Sequence, residues 1–270
     1  MPLAVCATPI GNLDDVTLRV LRELAQAELV LCEDTRHTRG LLQRHGIDAR
    51  LVSYHEHNEA KRTAELLPRL EAGARVALVS DAGMPGISDP GARLVAAALE
   101  AGVPVTVLPG PSAVETALVA SGLAGERYQF VGFLPRATPA RENLWAELAQ
   151  SVHPVVAFES PRRLPASLAS LAGALPERSV AVCRELTKRF EEVVRGTAAE
   201  VADRFREPPK GEITVVVGGA TDAVREPQAA GEAVQAVAEL VAAGVARGRA
   251  AELVARLTGV PRNELYRGSL

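Results

Sequence analysis

The chain has 270 residues, of which 47% are hydrophobic and 23% charged, with a formal net charge of −3. That length fits about two domains with an ample core. A mildly acidic chain does not coat nucleic acid non-specifically, so any such contact must come from a local basic patch. Cys6, Cys32 and Cys183 lie far apart in apolar runs, as buried thiols in a reducing, cytoplasmic compartment do, and not as a zinc site or disulfide framework does. No basic leader with an apolar core opens the sequence, and no run of about 18 apolar residues occurs, so neither signal peptide nor membrane span is expected.

The first expected strand, Leu3 to Thr8, runs into the turn Thr8-Pro9-Ile10-Gly11-Asn12. Asp14, Asp15 and Thr17 can cap a helix carrying Val16, Val20, Leu21 and Leu24 at helical spacing. A second strand, Leu29 to Cys32, ends in Glu33-Asp34-Thr35-Arg36-His37-Thr38-Arg39. Such a segment is either a solvated strand-to-helix turn or a polar wall able to hold phosphates or orient a hydroxyl. Leu51 to Tyr54 is a short strand. His55-Glu56-His57 after it lacks the accompanying ligands of a metal site, and no metal is expected. Lys61 to Glu71 is a helix stopped at Gly73.

The apolar run Val76 to Val79 leads into Ser80-Asp81-Ala82-Gly83-Met84-Pro85-Gly86-Ile87-Ser88-Asp89-Pro90-Gly91, which holds three glycines and two prolines in twelve residues. Such a stretch is neither helix nor strand; it is a shaped loop at a strand's C-terminal end, where open α/β sheets bind ligands. After a helix from Leu94 to Glu100, the run Val105 to Leu108 leads into a second loop, Pro109-Gly110-Pro111-Ser112-Ala113, and a helix through Glu115 to Leu118. The two loops, following strands expected to be neighbours, predict one pocket. Alternating strands and helices predict an α/β domain over 1–120 with a largely parallel sheet.

Ser121 to Gly125 reads as a link to a second α/β domain over 121–220. Its strands are Gln129 to Phe133, Val155 to Phe158, Val180 to Cys183, Glu191 to Thr197 and Ile213 to Val217, with a helix around Trp145. Strands so closely spaced predict a mixed, largely antiparallel sheet. The chain is expected to loosen from Thr221 to Pro227. A helical extension over 226–270 follows, carrying five arginines and two glutamates from Arg247 to Leu270 in a helix-turn-helix outline.

These motifs together resemble the ribosomal RNA small subunit methyltransferase I family, bacterial 16S rRNA (cytidine-2′-O)-methyltransferases of the tetrapyrrole-methylase fold. The resemblance is carried by Ala7 to Leu13, Glu33 to Arg36, Tyr54 to Glu59, Ser80 to Gly83 with Ile87 to Gly91, and Leu108 to Ala113. It continues through Gly132 to Pro135, Glu159 to Pro161, and Arg184 to Lys188 with Phe190-Glu191. Met84 and Gly86 stand where the family has Thr and Leu. The resemblance implies two α/β domains with a cofactor cleft between them, S-adenosylmethionine as methyl donor, a homodimer, and the small ribosomal subunit as partner. It places the donor against Pro9, Ala82, Gly83, Met84, Ile87, Ser112, Ala113, Glu159 and Leu186.

Methyl transfer from a sulfonium is mostly a matter of alignment, but a ribose hydroxyl is a poor nucleophile that a base or cation would assist. Lys188 is a candidate, because a desolvated lysine can lose its proton and an arginine cannot; the chain has only three lysines among its 30 basic residues. Glu33 and Asp34 are the alternative proton acceptors, or hold Arg36 in place. Arg36, Arg39, Arg162 and Arg163 are expected to anchor RNA phosphates. The competing readings are a methyltransferase of the same fold acting on a tetrapyrrole or other small molecule, and a regulator whose tail binds nucleic acid. A dinucleotide-binding enzyme is disfavoured, since no G-x-G-x-x-G opens a helix after a strand.

Overall fold

The structure, a computed structural model, describes the backbone of residues 2–220, 222–258 and 260–269, and the side chains of these apart from 222–230. Strands β1 (Leu3–Cys6), β2 (Leu29–Cys32), β3 (Leu51–Ser53), β4 (Val76–Leu78) and β5 (Val105–Leu108) form a sheet ordered β3-β2-β4-β1-β5, parallel throughout. Alternate residues face opposite layers. Leu3, Val5, Leu29, Leu31, Val76 and Leu78 meet helices α3 (Glu59–Glu71) and α4 (Ala92–Glu100). Ala4, Cys6, Val30, Cys32 and Ala77 meet α1 (Leu18–Gln26) and α2 (Thr35–Arg44) on the other face. With both faces covered, β1, β2 and β4 are buried along their whole length, as parallel strands are. The caps are local: Thr17 accepts from the Val20 amide, and Asp34 from the Arg36 amide.

The two pocket loops do not follow adjacent strands: β1 lies between β4 and β5. The expectation fails because loop spacing carries no information on strand order. The β1 turn therefore sits between the two loops and joins them.

The second sheet, ordered β6-β7-β10-β8-β9, comprises β6 (Gln129–Phe133), β7 (Val155–Glu159), β8 (Ser179–Arg184), β9 (Glu192–Thr197) and β10 (Ile213–Val217). Only the β6–β7 pairing is parallel, so the mixed, largely antiparallel expectation holds. Val155, Ala157, Val180, Val182, Val215 and Val217 face α6 (Thr138–Gln150), α7 (Leu164–Ala174) and α8 (Ala198–Arg204). The sequence reading does not anticipate α7 or α8, although Thr197 and Glu200 form a capping box at the start of α8, a signal legible at that spacing.

The opposite face of this sheet packs on the first half of the chain. Val156, Ala181, Cys183 and Val216 form one core with Ile10 and with Val114, Ala117 and Leu118 of α5 (Ala113–Ser121). Helix α5 belongs by sequence to the first sheet and by packing to the second. Segment Asp222 to Pro227, expected to be loose, opens helix α9 (Asp222–Ala242); the alanine-rich sequence behind it propagates helix more easily than it would nucleate a new one. Thr221 lies outside the described residues. Helices α10 (Arg247–Thr258) and α11 (Arg262–Gly268) complete a three-helix unit with its own core, built on Val237, Ala250, Val254 and Leu265. Gly259, in the expected turn between these two helices, also lies outside the described residues.

The halves also meet at Gly11. A Cβ there would stand 2.5 Å from Lys188 Cγ and 2.9 Å from the Leu186 carbonyl oxygen, and the neighbouring Asn12 amide donates to Thr187 Oγ1 at 3.0 Å. Gly11→Ala is expected to lower unfolding free energy by about 1–3 kcal/mol, the range for forced overpacking. Gly173→Ala, in α7 with nothing within 4 Å of the added methyl, is expected to be neutral or to stabilise by about 0.5–1 kcal/mol. Urea denaturation of both variants checks the contrast.

Candidate active site

The C-terminal ends of β1, β4 and β5 converge. The Thr8 amide donates to the Gly83 carbonyl at 2.8 Å, and the Gly83 amide returns a bond to the Thr8 carbonyl at 3.1 Å. Thr8 Oγ1 donates to the Ser80 carbonyl at 3.0 Å. Gly83 takes φ +77°, a left-handed conformation that costs glycine little. The loop is thereby pinned to the β1 turn and forms one wall of a cleft of about 560 Å³ between the two halves.

Asp81, Ala82, Gly83, Met84 and Ile87 line the cleft on the loop side, and Ser112 and Ala113 at the N-terminus of α5. The opposite wall is aromatic. Phe130 and Phe133 each meet Phe158 edge to face, with centroids 5.0 and 5.6 Å apart, and Tyr128 extends the wall. Of the nine aromatic residues in the chain, these four gather here. Glu115 accepts from Tyr128 Oη at 2.6 Å and from Ser112 Oγ, latching the start of α5 to the strand β6 approach. Burial raises the Glu115 carboxyl, but the Ser112 and Tyr128 hydroxyls outweigh it and hold it below the usual range.

A band of carboxylates borders the cleft at the ends of β2 and β4. The Asp34 amide donates to Asp81 Oδ1 at 3.1 Å. Asp89 lines the cleft, and burial, followed by the charges of Glu33 and Asp81, pushes its carboxyl up to about 6. Burial and Asp81 also raise Glu33. Asp34 behaves oppositely: its carboxylate takes the Arg36 guanidinium at 3.1 and 2.6 Å, and this bond holds it well below the usual range. Asp34 therefore positions Arg36 and is a poor proton acceptor. Arg36, Arg39 and Arg162 are exposed.

Lys188 does not fit the role of base. Its ammonium bonds Glu185 Oε1 and Glu212 Oε2, both at 3.0 Å. Burial pulls its pKa down, but the two carboxylates outweigh that and raise it above the ordinary lysine value. Lys188 stays a cation, in a shallow trough beside Gly11, Asn12, Asp14 and Arg44; only its partner Glu212 reaches the cleft. Next to it, the Arg189 guanidinium lies 5.5 Å from the centre of the Phe190 ring, which is 65% exposed.

Glu159 and Arg163 serve each other. The Glu159 side chain is wholly buried and accepts from Arg163 Nε at 2.7 Å, from Ser167 Oγ at 2.6 Å and from the Ser160 amide at 2.6 Å. Arg163 also donates to the Leu134 carbonyl at 2.9 Å. Arg163 thus braces the β7–α7 corner and is not free to anchor RNA. Pro9 and Leu186 are buried behind the cleft, Leu186 within the shared core. His55 Nε2 pairs with its own turn through Asn58 Nδ2 at 3.1 Å, and among the described residues no group of three or more His, Cys, Asp or Glu is placed to hold a metal ion.

Residues 2–202 match the model of the tetrapyrrole (corrin/porphyrin) methylases. The chain is 45% identical over 270 residues to a ribosomal RNA small subunit methyltransferase I of Synechocystis sp., covering 99% of this chain and 97% of that one. A protein of the same name from Mycobacterium tuberculosis is 51% identical over 224 residues, 81% of this chain and 78% of that one. The chain belongs to the ribosomal RNA small subunit methyltransferase I family. Among solved structures, the methyltransferase CobJ superposes with a TM-score of 0.63 at 21% identity, over 81% of this chain and 94% of that one. Uroporphyrin-III C-methyltransferase from Thermus thermophilus, complexed with S-adenosylhomocysteine, superposes with a TM-score of 0.57 at 21% identity, over 80% and 96%. These likenesses establish the tetrapyrrole-methylase fold.

For this member of the family, the aromatic wall, Asp89 and the Arg189–Phe190 pair are absent from the sequence-derived site. The signal for the wall was present, since a chain with 3% aromatic residues spends few of them without cause. Arg163→Ala leaves a buried carboxylate without its cation and is expected to cost about 3 kcal/mol, read as a lowered urea midpoint. If Arg163 held RNA instead, stability would be unchanged and the salt dependence of RNA binding reduced.

Proposed function

We propose that this protein transfers a methyl group from S-adenosylmethionine to the 2′-hydroxyl of a cytidine in 16S rRNA, at the decoding centre of the small ribosomal subunit. The observation that carries the reading is the pairing of a glycine-shaped loop with an aromatic wall across one cleft, in a chain of this family. The volume of about 560 Å³ falls within the range of small-molecule sites. The faces of Phe130, Phe133 and Phe158 suit a purine ring and a thioether chain. Ala82 to Ile87 and Ser112-Ala113 offer backbone groups for the polar ends of the donor, and Glu115 and Tyr128 close the rim. When bound, the donor supplies an electrophilic methyl carbon on a positively charged sulfur. The protein then aligns the acceptor oxygen with that carbon and keeps competing water out.

RNA is held at the rim. Arg36, Arg39 and Arg162 reach solvent and suit phosphate oxygens, which position a substrate without reading its sequence. Phe190 with Arg189 offers a stacking platform for an unpaired base, and the Lys188 ammonium adds fixed positive charge beside it. The names of the relatives that cover most of the chain favour RNA over a tetrapyrrole. Family likeness supports a homodimer. Cys6, Cys32 and Cys183, buried as free thiols, fit a reducing compartment such as the cytoplasm. No helix among the described residues is long and apolar enough to cross a membrane.

Incubating the protein with labelled donor and small ribosomal subunits should place the label on one cytidine 2′-oxygen, mapped by digestion and mass spectrometry; label on a base, or none, overturns the reading. Arg36→Ala should weaken subunit binding and flatten the plot of log affinity against log salt by about 0.7–0.9. Phe190→Ala should weaken binding by about 1–3 kcal/mol and leave donor affinity, measured by calorimetry, unchanged.

A further inference from the structure

With Lys188 held as a cation by two carboxylates and Asp34 held by Arg36, two sequence-derived proton acceptors are disqualified. The cleft itself supplies another. Asp89 lies in the loop between β4 and α4 and faces the same cleft as Gly83, Met84 and the aromatic wall. We propose that Asp89 is the catalytic base, its carboxylate accepting the proton of the acceptor hydroxyl during methyl transfer. The inference rests on the reading of this cleft as the site of hydroxyl methylation and adds the residue that makes the hydroxyl reactive.

The surroundings of Asp89 suit the task. Among the described residues, the charges that act on it are Glu33 from the end of β2 and Asp81 from the start of its own loop, both negative; the Ser80 hydroxyl donates to the Ala82 and Gly83 carbonyls at 3.2 and 3.3 Å. Glu33 in turn feels Asp34, Glu56 and His55. Among the described residues no cation takes up the Asp89 carboxylate, in contrast to Asp34 with Arg36, Glu159 with Arg163, and Glu185 with Lys188. Burial and two like charges raise its proton affinity to about 6. A base titrating just below neutral pH is mostly ionised in the cell, yet binds a proton far better than an ordinary aspartate.

The step balances. As the hydroxyl oxygen bonds to the methyl carbon, the carbon–sulfur bond breaks with its electron pair left on sulfur, and the hydroxyl proton passes to the Asp89 carboxylate. The proton then leaves to solvent through the cleft mouth, where Ile87 and Ser88 are exposed. The base works as its anion, so the rate is present above a pH of about 6 and falls as pH drops through that value.

The test uses the full-length protein, labelled donor and small ribosomal subunits. Asp89→Asn keeps the shape and removes the base. It is expected to lower the single-turnover methylation rate by about 100-fold or more, to leave donor binding by calorimetry within about threefold, and to abolish the inflection near pH 6. Asp89→Glu is expected to restore part of the rate. Independently of activity, the carboxyl carbon of Asp89 in ligand-free protein, assigned by its loss in Asp89→Asn, should titrate near pH 6 by carbon-13 NMR. A rate for Asp89→Asn within threefold of wild type, or a carboxyl that titrates near 4, overturns the inference while leaving the methyltransferase reading intact. Absence of methylation by the wild-type protein overturns both.

Discussion

One contact governs the site: the turn after β1 passes beneath the Leu186–Lys188 segment so closely that only hydrogen fits on Gly11. This approach, with the core shared by Ile10, Val114, Leu186 and the inner face of the second sheet, fixes the separation of the two halves. The cleft is the space that remains. Its width follows from how near two backbones come, and less from the side chains that line it. Glu185 and Thr187, in the segment that crosses Gly11, both take positive φ (52° and 64°), an unusual conformation for such residues. Glu185 stays there because its carboxylate is tied to the Glu212 amide and to Lys188.

Charge is sorted around this fixed frame. Carboxylates around the cleft and its flanks follow two patterns. Those that take up a guanidinium or ammonium act as braces, orienting Arg36, Arg163 and Lys188. Glu33 and Asp89, which have no such partner among the described residues, gain proton affinity from burial and then from neighbouring carboxylates, Glu33 chiefly from Asp81 and Asp89 chiefly from Glu33. The same residue type thereby braces a cation at one position and gains proton affinity at another, and neighbours decide which.

How much was legible in the sequence depended on how local the cause was. The loop from Ser80 to Gly91 was readable because glycine and proline impose backbone shape wherever they occur. The strands were readable because both-face burial demands unbroken apolar runs, and Thr17 was readable as a cap because its partner lies three residues on. The insertion of β1 between β4 and β5 was not, since strand order is a tertiary property. Nor was the charge state of Lys188, which depends on Glu212, 24 positions ahead on another segment. Arg163 was misjudged as a free cation for a related reason: its partner Glu159 is four residues back, but across a strand-to-helix corner whose geometry the sequence does not spell out. The aromatic wall draws on two separated segments, 128–133 and the strand holding Phe158, and becomes a wall only when the second sheet folds over α5.

The central place of β1 bears on how the chain is made. Its partners β4 and β5 are parallel to it and begin at Val76 and Val105 in register with Leu3, so no hairpin can hold it early. During synthesis the N-terminal strand emerges with no neighbour until the ribosome has delivered most of the first half, exposing an apolar edge of the kind that aggregates. The second sheet has the opposite habit, because β8 and β9 pair as an antiparallel hairpin that can close within microseconds of leaving the tunnel. Nascent chains of this protein are therefore most vulnerable before Leu108 is free, and that interval is where a chaperone has the most to protect.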